Sequence, residues 1–486
     1  MDIIEKAKRS QEKEFHKLRI KEDEKVLFTS FFVTQEGIIC EEIFNPAVST
    51  PQFAVWDGSK VSYKNDFEYN GRIIKPISDD IVLKGLVKLP SGIENYASEN
   101  ELFLEIQNFI NRYVDVLSDW RVWSSYYSLL AWVYDKLPVI PYLCALGPSD
   151  TGKTRFAQVV GSICYKPFFA SGSITASPIF RILDKFRGTL IINEFDRLGE
   201  LYSEIIIILN NGFEAGLPVV RTEGEKTKEV KVFSVFGPKI FASRIRKDDW
   251  AFESRLLTIP MRETQRKDIP PFLTEEFHKE AGSLRNKLLL FRFKHYQEPV
   301  NIRNDLFPSL KGRLRQTLLA LTSVVKNEAF IKKAEEFGEK RQSELKSVRI
   351  FDLDNVTFQV LKEFFKEGGT TLTVKEIAER VREVAGLDKH SAKAQGAILR
   401  DELSIEPKRF GSAGNYTVRL NEAILGALSE RYDLEESSES SGSSETGTHK
   451  TELTEHTELP QKDKERLTKA QQFYVETAEE LEKKLG

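Results

Sequence analysis

Hydrophobic positions along the 486-residue chain change period several times, and each change marks a different kind of element. Residues 1–26 are charged with a helical rhythm. From about 25 to 87 short apolar runs, "KVLFTSFFVT", "GIICEEIF", "QFAVW" and "IVLKGLV", are separated by Asn, Pro, Gly and Asp, the pattern of strands joined by turns. A charged helix and a small β-rich domain are therefore expected over 1–97. Ser98 with Glu101 is a capping box that opens the helical stretch "ENELFLEIQNFINRYVDVL", followed by the aromatic-rich "WRVWSSYYSLLAWVYDKL". Those rings could stack on bases, but their apolar neighbours fall on helical spacing, so 98–137 reads as a helical segment packed on the domain that follows.

Residues 138–262 alternate strand and helix, as a parallel α/β nucleotide-binding domain should. Residues 263–350 read mostly helical, with "SLRNKLLLFRFKHY" and "GRLRQTLLALTSVV" as the clearest members, and form a helical lid. Over 351–433 the order is three helices, "NVTFQVLKEFF", "TVKEIAERVREVAG" and "KHSAKAQGAILRDEL", then "KRFGSAGNYTVRL", a hairpin. That order is the one of a winged helix-turn-helix. Residues 434–462 are Ser/Glu-rich and too poor in large apolar side chains to bury a core, hence a disordered acidic linker. In 463–486 Leu467, Ala470, Tyr474, Ala478, Leu481 and Leu485 step by three and four, an amphipathic helix suited to a protein partner or self-association.

Composition narrows the class. With 30% charged and 40% hydrophobic residues and no apolar run near the ~20 needed to span a membrane, the chain reads as soluble and globular. The start, "MDIIEKAKRSQEKEF", lacks the apolar core of a signal peptide, so a cytoplasmic location without membrane contact is expected. Cys40, Cys144 and Cys164 are widely separated and indicate neither disulfides nor zinc. The net charge of −3 divides unevenly: residues beyond 433 carry −6 and those before carry +3. A mildly basic body permits a nucleic-acid groove.

The strongest chemical signal is "GPSDTGKT" at 147–154, after the apolar run "VIPYLCAL" and before the helical "KTRFAQVVGSIC". G-x-x-x-x-G-K-[ST] between a strand and a helix is a P-loop. The loop of Gly147, Pro148, Ser149, Asp150, Thr151 and Gly152 would wrap a triphosphate with backbone N–H groups, the two glycines making room. Lys153 would reach the β and γ phosphates, and the Thr154 hydroxyl would hold Mg²⁺. In "TLIINEFD" a buried strand ends in Asn193 and Glu194. Glu194 is the candidate general base or water-positioning group. Asn193 stands where a metal-linked aspartate is expected, and Asp196 could compensate only if the strand ran two residues further. A second strand, 235–242, ends at Ser243, placed to contact a γ-phosphate or its water. Arg255, just before "LLTIPM", is a candidate for transition-state charge, with Arg244 and Arg246 as competitors.

Taken together, "GPSDTGKT", the 41-residue step from Lys153 to Glu194, "LIINE", Ser243 after a strand and "AFESRLLTIPM" resemble AAA+ ring ATPases. More narrowly they resemble the superfamily 3 and minichromosome-maintenance type helicases of viruses, plasmids and other mobile elements, over roughly 100–345. The resemblance implies a multidomain α/β protein: a P-loop, AAA+-like parallel-sheet ATPase core with helical lid, N-terminal β-rich domain and C-terminal winged helix-turn-helix. It implies ATP and Mg²⁺ as cofactors, a homo-oligomer that is a hexamer, and hydrolysis at subunit interfaces with Arg255 acting in trans. Arg313, with Arg315 close behind, would be the lid arginine at the nucleotide. Residues 219–236 form a hairpin signal; in the family such a hairpin enters the ring channel, where Lys226 and Lys228 would pair with the phosphates of single-stranded DNA. In the winged helix, Lys389, His390, Lys393 and Arg400 would flank a groove of duplex DNA with Lys408, Arg409 and Tyr416 on the wing, against the acidic Asp401 and Glu402. The implied function is a replicative helicase or translocase; an ATP-switched DNA-binding regulator or loader, or a nucleotide-binding scaffold, are the other classes compatible with these residues.

Overall fold

The computed structural model describes residues 25–170, 175–198, 201–223, 229–246, 250–298, 302–325, 327–349, 353–387, 389–410 and 415–432. The charged N-terminal segment, Lys226 and Lys228, the acidic linker and the C-terminal amphipathic segment lie outside the described residues. The chain divides into two units between 342 and 343.

The first unit is built on a five-stranded, wholly parallel sheet. Its strands are β1 (Tyr142–Leu146), β2 (Phe168–Ala170), β3 (Leu190–Ile192), β4 (Lys239–Ser243) and β5 (Leu256–Pro260), in the order β5-β1-β4-β3-β2. Sequences such as "YLCAL" and "LII" carry no polar face, which is what a strand covered on both sides requires. In register, Tyr142 pairs with both Lys239 and Leu256, and Leu146 with Ser243 and Pro260, so the polar ends of β1 and β4 come out level. β4 starts four residues later than the apolar run suggests, because Gly237 (φ 155°) and Pro238 turn the chain before the ladder begins.

Helix α1 (Lys153–Ser162) leaves the end of β1 and packs on the sheet. Gly161 lets it approach closely: a Cβ there would lie 2.7 Å from Ile191 Cγ1. The aromatic run is core, as its spacing predicts. In the helix Ser118–Ala131 and the turn after it, Trp123, Tyr126, Tyr127, Trp132 and Tyr134 are buried. Tyr127 Oη donates to Lys239 O at 3.0 Å, and Trp132 Nε1 donates to Ile163 O at 2.9 Å. Before it, the helix Glu99–Tyr113 starts at Ser98, whose Oγ accepts the Glu101 amide at 3.2 Å, one half of the expected box.

The N-terminal β-rich segment folds as a four-stranded antiparallel sheet and a three-stranded sheet. Alternation along Ile39–Asn45 sends Ile39 and Ile43 into the same core as the helices and the parallel sheet, while Cys40 joins Phe53, Val55 and Ile74 in a smaller cluster. The fixing contact is charged. Glu41, 1% exposed, accepts from Tyr165 Oη at 2.9 Å and pairs with Lys166 at 2.8 Å and with Arg292, which reaches Asp135 at 2.7 Å. Breaking one partner of such a buried set costs about 3–5 kcal/mol. The run at 81–87 does not form the strand its composition suggests. Asp79 Oδ1 accepts the amides of Ile81 and Val82 at 3.0 and 3.3 Å and caps a short helix, Asp80–Leu83, leaving only a bridge from Val87 to Phe168.

Residues 263–349 contribute helices Glu275–Tyr296, Gly312–Thr322 and Glu328–Arg349. No helix among the described residues is long and apolar enough to cross a membrane.

The second unit has its own core around Phe358, Leu361, Ile377 and Leu399. Helices Leu353–Lys366, Val374–Ala385 and Ala392–Ala397, the last continuing as a π-helical turn to Glu402, pack with a three-stranded sheet, Thr371–Thr373, Asn415–Arg419 and Lys408–Phe410. The strand at 371–373 and a closing helix, Glu422–Tyr432, exceed what the hairpin pattern foretold. Thr371–Thr373 escapes a period-based reading because it is three residues long and runs directly into the Thr373 capping box of the next helix.

Candidate active site

The loop after β1 is bolted on both sides. Gly147 N donates to Ser243 O at 3.3 Å, and Met261 N donates to Leu146 O at 2.7 Å. A Cβ on Gly147 would lie 2.5 Å from Met261 O and 2.9 Å from Thr151 Oγ1, so only glycine fits between β5 and the loop. Asp150 (φ 61°) and Gly152 (φ 77°) are left-handed and curl the loop back over the start of α1. Gly152 offers no side-chain cap, so the first amides of α1 are left to whatever binds at the loop. Thr151 Oγ1 donates to Pro148 O at 2.8 Å, and Lys153 Nζ also donates to that carbonyl. Lys153 is buried; burial lowers its pKa, and the nearby Asp196 opposes that. Thr154, next in the helix, is exposed.

Beside the loop, β3 ends at Ile192 as expected. Asn193 N donates to Ala170 O at 3.3 Å, but its Oδ1 is buried with no hydrogen-bond partner, a cost of about 1–3 kcal/mol that a donor brought by a ligand would remove. Glu194 is exposed and left-handed (φ 54°, ψ 44°). Phe195 explains that backbone: its buried ring packs on Phe241 and Phe252 at 4.8 and 5.2 Å, which drags the chain inward through a 3-10 turn, Phe195–Arg197. The turn returns Asp196 to the end of β4, where its carboxylate accepts from Arg244 N at 3.2 Å and Arg244 Nε at 2.6 Å. Burial would raise the Asp196 pKa, yet the Arg244 hydrogen bonds hold it below the ordinary value. A carboxylate therefore stands near Lys153 although the strand does not extend to it. The sequence ties Asp196 to a strand two residues longer; the turn achieves the same placement, and its signal is an aromatic residue between two acids, which turns the chain sharply when the ring is buried.

The remaining candidates are distributed as follows. Ser243 is buried and its Oγ donates to Ile245 O at 2.7 Å. Arg244 and Arg246 are exposed on the same rim. Arg255 immediately precedes β5, at the opposite end from Pro260 and about 16 Å of extended chain from it, buried, with its guanidinium 5.6 Å from the Phe213 ring centroid. Arg313 lies in the first turn of Gly312–Thr322, half-buried, while Arg315 is tied to the Asn304 and Leu306 carbonyls. In the helix Glu328–Arg349, Arg341 pairs with Glu253 at 2.8 Å, both side chains buried.

The hairpin is present, Val219–Glu223 paired with Glu229–Phe233. Val219 and Phe233 turn inward, Phe233 against Phe180 at 4.7 Å, while Val220, Val230 and Val232 face out. In the second unit Lys389, Lys393, Arg400 and Lys408 are exposed, and Arg409 lies 5.3 Å from the ring of its cross-strand partner Tyr416. His390 is half-buried: Nε2 bonds Gln395 Oε1 at 2.8 Å, and the buried Gln395 Nε2 donates to Thr357 Oγ1 at 3.0 Å. Burial lowers its pKa, with Gln395 opposing.

No family model matches the sequence, and no curated protein does. Solved structures similar to this chain include a SCCmec type IV Cch protein described as an active helicase (13% identity, TM-score 0.39, covering 87% of this chain and 85% of that one). The C-terminal region of NrS-1 matches at 12% identity and TM-score 0.33, covering 79% and 97%. A helicase of JCV matches at 15% identity and TM-score 0.26, covering 51% and 62%.

Proposed function

We propose that this chain is an ATP-driven DNA translocase or helicase. The observation that carries the reading is the convergence at one sheet edge of a glycine-requiring loop, an uncapped helix N-terminus, a buried lysine and the polar ends of β3 and β4. The residues present fit a magnesium-bound triphosphate: the helix after the loop has no side-chain cap on its first amides, Lys153 stands beside them, and the Asn193 carbonyl oxygen lacks a donor. Bound Mg²⁺ would polarise the terminal phosphate and neutralise its charge. Loop amides and Lys153 would hold the phosphates, Thr154 would ligate the metal, and Asn193 would accept from a metal-bound water. Exposed Glu194 would take the proton of the attacking water. Asp196 keeps Arg244 on the rim and supports the charge of Lys153.

A hexameric ring would place the rim arginines of one subunit beside its neighbour's phosphates. Arg244 and Arg246 suit that role in this conformation, whereas Arg255 would have to leave its pocket against Phe213. The hairpin of 219–223 and 229–233 would follow single-stranded DNA, with Lys226 and Lys228 as the phosphate partners the sequence offers, and the 353–432 unit, read as a winged helix, would use Lys389, Lys393, Lys408 and Arg409 on duplex.

The test is ATP hydrolysis and forked-duplex unwinding by the full chain. Hydrolysis should rise with single-stranded DNA and vanish in Lys153→Ala. Hydrolysis without unwinding would leave the regulator or loader reading, and retention of full turnover in Lys153→Ala would defeat both.

A further inference from the structure

An open groove of about 700 Å³ lies away from the P-loop, between the turn after Ile39–Asn45, the short helix Asp80–Leu83 and the helix Glu275–Tyr296. Its cations are Arg285, Lys88, Lys279 and Lys84. Lys84 is already paired with Asp80 at 2.6 Å. Arg285 donates Nη1 to Ser162 O at 2.8 Å, at the C-terminal end of α1, but its Nε is buried with no hydrogen-bond partner. Among the described residues no carboxylate pairs with Arg285, Lys88 or Lys279. Burial lowers the Arg285 pKa to about 10, and Lys88 is lowered by burial and then by the charge of Arg285. Of the groove's two acids, Glu94 is occupied by Asn286 Nδ2 at 2.8 Å and Ser283 Oγ, and Glu275 sits at the start of the helix. A guanidinium whose buried Nε has no partner, with a second cation beside it, favours the entry of an anion.

We propose that this groove holds the phosphodiester backbone of a single nucleic-acid strand, with Arg285, Lys88 and Lys279 as its cations. The groove is open rather than enclosed, which suits a strand passing through it better than a sequestered small molecule. Lys88 and Lys279 are exposed, and their long side chains can meet phosphates without reading bases. Because the arrangement involves none of the P-loop residues, it stands or falls separately from ATP hydrolysis.

The experiment uses the full chain without nucleotide. An oligo-dT strand carrying 4-thiothymidine is irradiated with the protein and the crosslinked peptides are mapped, for the parent and for a Lys88→Ala/Lys279→Ala double variant. Crosslinks to 84–94 or 275–286 that disappear in the double variant are expected. The slope of log affinity against log salt should fall by about 1.4, two contacts at ~0.7 each. Both lysines are on the surface, so an unchanged melting temperature is expected and checks the fold. Crosslinks confined to other segments with an unchanged slope would overturn the proposal. So would tripolyphosphate, or a peptide of residues 434–459, binding the groove in competition with no oligonucleotide.

Discussion

Gly147→Ala is the sharpest test of how the P-loop is built. The added methyl would start 2.5 Å from Met261 O, where ordinary contact begins at 3.4 Å, so something must move by about 0.9 Å or more. Two things can yield. The edge strand β5 can retreat, giving up the Met261 N to Leu146 O bond, or the loop can lift, giving up the Gly147 N to Ser243 O bond. Either way about 0.5–1.5 kcal/mol of hydrogen bonding is lost and overpacking adds about 1–3 kcal/mol. A total near 2–4 kcal/mol should lower the melting temperature by several degrees in a unit of this size. If the loop lifts, fluorescent-nucleotide titration should show weakened ATP binding beyond the stability loss. Gly426→Ala is the control: its helix position has open space and ordinary φ, so it should be neutral or stabilising by up to about 1 kcal/mol. Parent-like melting and ATP affinity in Gly147→Ala would refute the argument that this position must lack a side chain.

Three further outcomes follow from buried charge. Glu42 is fully buried and its pKa is raised to about 8 by burial, with Lys166 partly opposing, so the folded protein holds a proton the unfolded chain releases between pH 4.5 and 8. Stability should therefore fall as pH rises through that window, and Glu42→Gln, which carries no such penalty, should gain a few kcal/mol over the parent at pH 8 but little at pH 4.5 in denaturant titrations. Lys239, with no exposure, donates to the carbonyls of Val235 and Gly237 at 2.9 Å and to that of Gly212 at 3.3 Å, and burial drives its pKa well below 10.5. The unfolded chain then binds the extra proton, so this residue makes stability rise with pH up to about 10.5, and Lys239→Met should remove that component while costing about 2–4 kcal/mol from the orphaned carbonyls. Asp196→Asn should leave the fold nearly intact, because Arg244 is two-fifths exposed, yet lower the Lys153 pKa further and cut ATP hydrolysis most at high pH. A parallel drop at every pH would mean Asp196 acts only through structure.

Local chemistry in the sequence determined a good deal of this protein. The strand–loop–helix at 142–162, the strand ending before Asn193, the hairpin around 219–233, the buried aromatic helix and the helices of the 353–432 unit all follow from periodicity, turn residues and caps, which act over a few neighbouring positions. The tertiary structure decided what depends on distant partners. Phe195 finds its pocket between β4 and the helix before β5, and only that docking returns Asp196 to Arg244. Arg341 finds a buried partner because the helix that carries it passes Glu253, 88 positions earlier in the chain. Parallel pairing of β5 with β1 puts Arg255, which precedes its strand, and the loop at 147–152, which follows its own, at opposite ends of neighbouring strands. The N-terminal sheets share the main core through Glu41, Lys166 and Arg292, residues that in isolation look like surface charges. Each of these outcomes is set by which surfaces meet across the fold, and no local pattern of polar and apolar positions encodes that.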